Sequence, residues 1–480
     1  MRPPGPHAPL RPLGLEELRR RERARRRRQA QVRRNRAVAG TVLSAVVAGS
    51  IFAALGRASS PLHDPGSLAS LPAPKLVSLV GSRLVVPGPA PRFVWALQGE
   101  GAVGVRGIGL IAHSAREKSV PIASLTKMMT AYVILHDHPL RLNEQGPRVT
   151  MTRADVVAWQ VASQNDDSNV EVKAGEVLSE HQLLEALLIP SADNIADLLA
   201  RWDAKSIPAF VAKMNATARR LGLRATHYAD ASGLNPNSRS NAADQVRLAS
   251  DLMSNPVVRQ IVAHPSLPFP VEGAIHNYNP ALGVDGIIGV KSGFTGQAEG
   301  CLVTAAFRDV GGRSVLVVAA TLGQLAGLYG AATIDERLVN EAAGALRLVS
   351  VLRPSEAVAS VRIPWAPGTL LARAPREGAQ IVGWPQMSLS ERLVPVSGAR
   401  LAAGASRSGA AGRATTTSGA RASSSGVSVA AGEPGGTGRA HGPLVGALQL
   451  RGAEGLVATV PLGAASAIPP VPAGWSPAAD

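Results

Sequence analysis

The spacing of apolar residues predicts strands on both sides of a helical region in the middle of the chain. Apolar positions at helical spacing indicate helices, which cover residues 124–136, 180–189, 194–202, 210–221 and 334–348. Runs rich in β-branched and apolar residues indicate strands, which cover 93–97, 102–105, 287–291, 301–307 and 315–321. This order predicts an α+β fold in which an antiparallel sheet is flanked by helices.

The pattern changes after residue 350, where short strand-like runs replace the helices. These runs predict a small C-terminal β-module formed by 351–397 and 443–465. Between them, residues 398–442 are rich in Gly, Ala, Ser and Thr, so we expect a disordered insertion. By composition, the remainder divides into a linker, a main domain and a Pro-rich tail, which cover 57–90, 91–350 and 466–480.

The first part of the chain combines a basic arm with an uncharged apolar stretch. Residues 1–36 contain 13 Arg and 3 Glu, whereas residues 37–56 contain no charged residue. About twenty apolar residues span a bilayer as a helix, and an Arg-rich flank stays in the cytoplasm. We therefore predict a single-pass transmembrane signal anchor at 37–56, which places the remainder on the extracytoplasmic side of the cell membrane. A cleaved export signal is one alternative. A nucleic-acid-binding arm is the other, but the apolar stretch follows the charge at once and we expect no nucleic-acid partner.

Composition limits what the core can contain. Hydrophobic residues make up 45% of the 480 residues, but aromatic residues make up 3%, so the core must consist mainly of Ala, Val, Leu and Ile. The single cysteine, Cys301, excludes an internal disulfide. It lies in an apolar run, which predicts a buried structural thiol.

Three short motifs carry the candidate chemistry. In chain order they are Ser124-Leu125-Thr126-Lys127, Ser191-Ala192-Asp193-Asn194 and Lys291-Ser292-Gly293. Ser124 and Lys127 lie three residues apart at a predicted helix start, so their side chains share one face. A serine hydroxyl is a poor nucleophile and needs an adjacent base, and a desolvated lysine amine can be that base.

The other two motifs place polar groups at breaks in regular structure. Ser191 follows Pro190 between two predicted helices, where its hydroxyl could relay a proton to a leaving amine. Lys291 and Ser292 end an apolar strand, where a cation and a hydroxyl could hold a carboxylate. Gly293 would let a bound backbone approach the strand closely.

In this order, the motifs resemble the Ser-x-x-Lys, Ser-x-Asn and Lys-Thr/Ser-Gly boxes of the penicillin-recognising serine acyl-transferases. Segments around them extend the resemblance, namely Pro121-Ile122-Ala123, Met214-Asn215-Ala216-Thr217-Ala218, Leu221-Gly222-Leu223, Ala231-Ser232-Gly233-Leu234, Val284-Asp285-Gly286-Ile287, Phe294-Thr295 and Cys301-Leu302-Val303. The chain from about 90 to 350 is thereby similar to the serine-type D-alanyl-D-alanine carboxypeptidases, low-molecular-weight penicillin-binding proteins of the peptidase S11 type. The C-terminal β-module resembles the second domain of that family.

The resemblance implies a β-lactamase/transpeptidase-like fold and an acyl-enzyme mechanism without metal or cofactor. It implies that the carbonyl of a terminal D-Ala-D-Ala acylates Ser124, with Lys127 as the base and Ser191 as the proton relay. The implied partners are peptidoglycan stem peptides ending in D-Ala-D-Ala, β-lactam antibiotics as inhibitors, and the membrane through the N-terminal helix.

Further residues are implied to bind the substrate. Lys291 and Ser292 would hold its terminal carboxylate, and the backbone N–H groups of Ser124 and Phe294 would form the oxyanion hole. The complete set of implied binding residues is Asp193, Asn194, Lys291, Ser292, Gly293 and Phe294.

The second motif departs from the family pattern, because Asp193 stands where the box has Asn. An ionised Asp cannot donate a hydrogen bond. Beside Lys127 it would favour the charged lysine and weaken it as a base. Either Asn194 supplies the missing amide through a shifted turn or Asp193 forms an ion pair with Lys127, and the sequence leaves both open.

Two other functions also remain open from the sequence. A class A β-lactamase shares the three boxes, although an N-terminal anchor and a β-module are unexpected there. An inert relative that binds cell-wall peptide or a partner without turnover is favoured by Asp193. The segment His136-Asp137-His138 closes a helix and has no further ligand run, so we expect no metal site there.

Overall fold

The fold contains two large sheets, and helices pack on both faces of the first of them. The computed structural model describes residues 71–115, 118–402, 435–436, 442–453, 455–472 and 475. They belong to one compact unit, Ala69–Asp480.

The α-helices are α1 (Thr126–Asp137), α2 (Arg153–Gln164), α3 (Glu180–Leu188), α4 (Asp193–Ala204), α5 (Ile207–Arg220), α6 (Ala242–Leu252), α7 (Pro256–Val262) and α8 (Gly327–Ala345). Short 3-10 helices cover Ala123–Leu125 and Val284–Gly286. The strands are β1 (Lys75–Ser78), β2 (Arg83–Val85), β3 (Glu100–Val105), β4 (Gly109–His113), β5 (Val120–Pro121), β6 (Arg148–Thr150), β7 (Val177–Ser179), β8 (Arg239–Ser240), β9 (Ser266–Phe269), β10 (Gly273–His276), β11 (Ile287–Thr295), β12 (Glu299–Val310), β13 (Arg313–Gln324), β14 (Arg347–Leu352), β15 (Ala357–Arg362), β16 (Leu370–Arg373), β17 (Ala379–Gly383), β18 (Ser388–Pro395), β19 (Gly435–Gly436), β20 (Leu444–Gly452) and β21 (Gly455–Ala464).

A five-stranded antiparallel sheet joins the two ends of the region that the sequence assigned to the main domain. Its strand order is β11-β12-β13-β3-β4. The hairpin β12–β13 closes at the pair Val310 and Arg313, and β3 then pairs with β13 through Val103 and Ala319. The predicted antiparallel sheet flanked by helices is confirmed.

Helices pack on both faces of this sheet. A Cβ placed at Gly104 would lie 3.2 Å from the Val246 side chain of α6, and one at Gly101 would lie 3.5 Å from Leu338 of α8. Positions 101 and 104 lie on the same strand and differ by an odd number of residues. Because side chains alternate along a strand, α6 and α8 cover opposite faces.

Helix α1 is buried on nearly every side. From Thr126 to Leu135 every residue except Tyr132 is buried, and α1 contacts α3, α4, α5 and α6. A helix that is apolar around most of its circumference is typical of a core position. The nucleophile candidate therefore lies just before a helix whose position is set by packing from several directions.

A second, eight-stranded sheet contains most of the strands after residue 350, together with β1 and β2. Its order is β1-β15-β16-β21-β20-β18-β2, and β19 also pairs with β21. Smaller two-stranded sheets pair β14 with β17, β5 with β8, β6 with β7 and β9 with β10. Trp475, in the predicted tail, stacks edge-on against Trp365 with ring centroids 6.0 Å apart.

The structure differs from the predicted linker over 57–90. Residues 75–78 and 83–85 form β1 and β2, with Leu76 opposite Val361 and Leu84 opposite Leu389. Each strand is too short for its alternation to be visible, and its partner lies far away in the chain. The linker prediction is therefore wrong for this stretch.

The strand predicted over 93–97 is also wrong. Residues 93–97 form no strand, and β3 pairs with β4 instead. Trp95 packs over Gly101, where a Cβ would lie 3.0 Å from its ring, whereas Leu97 is 97% exposed. The apolar run 93–97 therefore packs one ring against the sheet without forming a strand of its own.

Other predictions fall on residues outside the described part of the chain. These are the basic arm (1–36), the membrane span (37–56) and most of the insertion 398–442. In the described part of the insertion, residues 398–402 are helical with Leu401 and Ala402 buried, and 435–436 form β19, so these residues differ from the predicted disorder. Among the helices that the structure describes, none combines the length and the apolar character needed to cross a bilayer. The remaining domain boundaries stay predictions.

Asp335 gives the fold a pH dependence. It is buried between α8 and the sheet, where its Oδ1 accepts a hydrogen bond from Thr321 Oγ1 at 2.5 Å. Burial raises the pKa of Asp335 to about 8, and the hydrogen bonds from threonine hydroxyls oppose that rise. The folded state therefore keeps a proton that the unfolded chain loses, so stability falls as the pH rises from about 4 to about 8.

We expect Asp335→Asn to remove this dependence, because an amide does not ionise. The melting temperature of Asp335→Asn minus that of the wild type should increase from pH 5 to pH 8. The corresponding difference in the free energy of unfolding should grow by on the order of 1 kcal/mol per pH unit. Glu336→Gln, which changes a partly exposed carboxylate on the same helix, is the control. A difference that is constant with pH for Asp335→Asn would show that the folded state does not hold a proton on Asp335.

Candidate active site

Ser124 lies in a strained turn that leads into α1. Strand β5 pairs with β8, and the N–H of Ile122 donates to Ser238 O at 3.2 Å. Ala123 then has a positive φ of 47°, and the chain enters the 3-10 turn that contains Ser124. A residue with a Cβ adopts this φ only when its surroundings enforce it. Ser124 is partly exposed, while its neighbours on both sides are buried.

The side chain of Lys127 is fully buried beneath Ser124. Its Nζ lies 2.9 Å from Ser124 Oγ, 2.6 Å from Asp193 Oδ1 and 2.8 Å from the carbonyl oxygen of Ser232. The first motif thus places an amine within hydrogen-bond distance of its own serine.

The second motif forms the break between α3 and α4. Ser191 has a positive φ of 66°, and the N–H of Ala192 returns to Ala186 O at 3.0 Å. The Ser191 hydroxyl is buried and has no hydrogen-bond partner within the described residues. The N–H of Asp193 donates to Ser168 O at 2.7 Å, which ties the start of α4 to the preceding loop. The N-cap residue of α4 is Ala192, and no side chain caps this helix start.

The two alternatives for Asp193 and Asn194 are resolved by their contacts. Asp193 forms the ion pair with Lys127, with the Lys127 side chain 0% and the Asp193 side chain 6% exposed. Asn194 Nδ2 donates to Val170 O at 3.0 Å, and its Oδ1 accepts from Val170 N at 3.2 Å. The oxygen and the nitrogen of the Asn194 side-chain amide are therefore both bonded to the backbone of Val170. Asn194 does not take the place of the family's Asn beside Lys127. Burial raises the pKa of Asp193, and the Lys127 charge opposes that rise.

The third motif lies on β11, against the Ser124 turn. A Cβ placed at Gly293 would lie 2.9 Å from Ser124 N and 3.1 Å from Ile122 O. Only a residue without a side chain lets the two backbones approach this closely. The sheet edge is thereby brought directly beside the candidate nucleophile.

Lys291 is a second buried cation at this site. It is 1% exposed, and its Nζ donates to Ser292 O at 2.9 Å. Burial lowers the pKa of Lys291 well below its usual value, and the charge of Lys127 lowers it further, while Asp193 opposes both. Ser292 is also buried, whereas Phe294 is 56% exposed at the end of the strand. The structure thus brings the three motifs together around Ser124, Lys127 and Asp193. The side-chain amide of Asn194 is instead bonded to the backbone of Val170.

Two features of the site were not assigned a role from the sequence. The carbonyl of Ser232 accepts from Lys127, and its loop is held by Asp230, whose Oδ2 accepts from Gly233 N at 2.9 Å, Asn235 N at 3.0 Å and Ser232 Oγ at 3.1 Å. The signal was the composition of the loop, since Asp followed by Ser and Gly favours a turn in which a carboxylate accepts backbone N–H groups. That signal predicts a turn but not which segment the turn will contact.

The histidines at 136 and 138 and the single cysteine make contacts outside the three motifs. Within the described residues no cluster of three or more metal-ligating side chains is present. His136 pairs with Asp137 at 2.8 Å, and His138 pairs with Asp203 at 3.0 Å. The predicted burial of Cys301 is confirmed, and burial raises the pKa of its thiol to about 12.

Comparisons with known proteins identify the family of this chain. The model of a peptidase family described as D-alanyl-D-alanine carboxypeptidase, peptidase S11, matches residues 109–322. A D-alanyl-D-alanine carboxypeptidase of Mycobacterium tuberculosis is 35% identical over 248 residues, which cover 50% of this chain and 78% of that protein. The chain belongs to the peptidase S11 family.

Further relatives of this S11 member are found in Streptomyces. A D-alanyl-D-alanine carboxypeptidase from a Streptomyces strain is 33% identical over 210 residues, covering 40% of this chain and 69% of that protein. The crystal structure of a Streptomyces DD-transpeptidase is 26% identical and covers 54% of this chain and 98% of that one, with a TM-score of 0.45. As a peptidase S11 member, the protein is a serine-type hydrolase.

The loop that supplies the Ser232 carbonyl depends on Gly233. Gly233 has a φ of 94°, and a Cβ there would lie 1.8 Å from Ala123 O. Gly222 has a φ of 71° with no atom within 4 Å of a Cβ placed there. Gly222→Ala therefore measures backbone strain alone, and Gly233→Ala adds a steric overlap.

We expect Gly222→Ala to cost about 1–2 kcal/mol of unfolding free energy and Gly233→Ala to cost about 1–3 kcal/mol more. Urea unfolding of the two variants and the wild type checks this. Equal losses would show that the loop moves away from Ala123 freely, which is incompatible with the close packing described.

Proposed function

We propose that this peptidase S11 member is a D-alanyl-D-alanine carboxypeptidase that trims the terminal D-Ala from peptidoglycan stem peptides. The observation that carries the proposal is the 2.9 Å contact between Ser124 Oγ and Lys127 Nζ, beside the strand that bears Lys291. The family membership supports the same reaction. Ser124 is the nucleophile, Lys127 its base and Ser191 the proton relay.

Acylation begins when Lys127, as a neutral amine, takes the proton of the Ser124 hydroxyl. The oxygen forms a bond to the carbonyl carbon of the penultimate D-Ala, and the peptide C–N bond then breaks. The proton passes through Ser191 to the leaving amine of the terminal D-Ala. The buried hydroxyl of Ser191, which has no partner within the described residues, supports this role.

The substrate carboxylate is bound by Lys291 and Ser292. The buried Lys291 has lost its hydration, and a carboxylate beside it would restore a counter-charge in a region of low dielectric. Backbone N–H groups of Ser124 and Phe294 stabilise the oxyanion, at about 3–4 kcal/mol for each donor. The closeness of Gly293 to Ser124 N supports this pairing of donors.

Water then hydrolyses the ester and releases the shortened peptide. β-Lactams acylate the same serine and act as inhibitors. The Arg-rich arm and the uncharged stretch 37–56 support a membrane anchor that holds the catalytic region on the extracytoplasmic side, where the substrate lies.

A second candidate is a relative that binds cell-wall peptide with little or no turnover. It is favoured by the ion pair of Lys127 with Asp193, because a lysine held as an ammonium cannot accept the serine proton. Release of D-Ala from a D-Ala-D-Ala peptide separates the two candidates, and rapid hydrolysis of penicillin would indicate a β-lactamase.

Intact-mass analysis of the full-length protein after incubation with benzylpenicillin tests the proposal. We expect one adduct per chain, and Ser124→Ala should lose it because the acylated oxygen is gone. D-Ala release should fall on the order of 10⁴-fold or more in the same variant.

Ser119→Ala is the matched control for this experiment. Ser119 is an exposed serine near the same motif, and its hydroxyl donates to Ala225 O at 2.8 Å. It should keep the adduct and the release of D-Ala. A folded wild type that forms no adduct, or an adduct that persists in Ser124→Ala, would refute the assignment of the nucleophile.

A further inference from the structure

Nζ of Lys127 has as many hydrogen-bond acceptors as an ammonium has N–H bonds. They are Asp193 Oδ1 at 2.6 Å, Ser232 O at 2.8 Å and Ser124 Oγ at 2.9 Å. An ammonium that donates to all three has no lone pair for the serine proton. A neutral amine keeps two N–H bonds, which match the first two oxygens, and its lone pair then faces the Ser124 hydroxyl. A single proton separates the resting arrangement from the reactive one.

Asp193 is the one charged acceptor of the three. Its carboxylate makes the shortest of the three contacts, and both members of the pair are nearly inaccessible to solvent. Charges attract more strongly in such a region than in water. The amide that the family's second box has at this position would accept the same hydrogen bond without stabilising the charged lysine.

We propose that Asp193 is a positioning residue that holds Lys127 in its ammonium form, so that acylation of Ser124 reaches its full rate only above neutral pH. This proposal rests on the function proposed above, in which the neutral amine of Lys127 is the base. Asp in place of Asn in the second box then moves the pH dependence of acylation to higher pH without changing the nucleophile.

Other charged groups lie around Lys127 and Asp193, and some of them favour the charged forms of their neighbours while others oppose them. Lys291 on β11 disfavours a second cation beside it. The charge of Asp167, in the loop that follows α2, raises the pKa of Asp193. On α4, burial raises the pKa of Asp197 to about 6, while Arg201 opposes that rise. Asp230, in the loop of Ser232, acts on Asp197. Within the described residues, Asp193 is the carboxylate that is hydrogen-bonded to Nζ of Lys127.

The test measures the second-order rate constant for acylation by benzylpenicillin from about pH 5 to about pH 10, a range that includes the usual lysine and carboxyl titrations. The full-length wild type is compared with Asp193→Asn. Loss of the adjacent charge should move the rising limb of the profile down by about 1–3 pH units. At neutral pH the variant should then react about tenfold faster or more, because each pH unit on the limb is a tenfold change in the amine fraction.

Asp167→Asn is the matched control, since it removes a carboxylate that acts on Asp193 without contact to Lys127. It should move the limb much less than Asp193→Asn. Asp193→Ser, which is also neutral but shorter, is the second variant and should shift the limb in the same direction. Circular dichroism confirms that each variant is folded.

The outcomes distinguish this inference from the proposed function. No Ser124 adduct in the wild type or in folded variants at any pH would refute the proposed function, and the inference with it. An adduct in all of them, with the limb unchanged or moved upward in Asp193→Asn, would overturn the inference alone. If neither neutral variant folds, Asp193 serves stability and the inference is also overturned.

Discussion

The buried amine of Lys127 is the contact on which the site depends, because it joins three segments that are far apart in the chain. It comes from the start of α1, and it meets the start of α4 at Asp193 and a loop at Ser232. A buried ammonium is unfavourable unless its N–H groups are paired. The fold therefore brings a carboxylate and a carbonyl to it, and the serine hydroxyl completes the set. The position of the Ser124 hydroxyl is thus tied to the hydrogen bonds of the Lys127 side chain.

Local patterns were sufficient wherever a structural element is defined by its own residues. The helix predicted over 180–189 is present as α3, with a capping box of Ser179 and Gln182 at its start. The strands predicted over 301–307 and 315–321 are present in β12 and β13. The three motifs also meet as the family resemblance implies. Their order and spacing could be read from the chain, because each motif lies on a helix start or strand whose signal is local.

What the sequence left open depends on contacts between distant segments. It could not decide between Asp193 and Asn194, because the decision is made by Val170, a backbone group outside the motif that takes up the whole amide of Asn194. The apolar run 93–97 has the composition of a strand but packs a ring on the sheet instead. In each case the outcome is set by a tertiary contact that the local sequence does not reveal.

The strands β1 and β2 have a consequence for the way the chain is assembled. They precede the five-stranded sheet in sequence, but they pair with strands that come after it, and Arg83 bonds to Ser388 across 305 residues. During synthesis these segments emerge long before their partners exist, and pairings across such separations form slowly. The eight-stranded sheet can close only once the final strand of the hairpin β20–β21 has left the ribosome, so its completion is a late event that fastens the beginning of the described chain to its end.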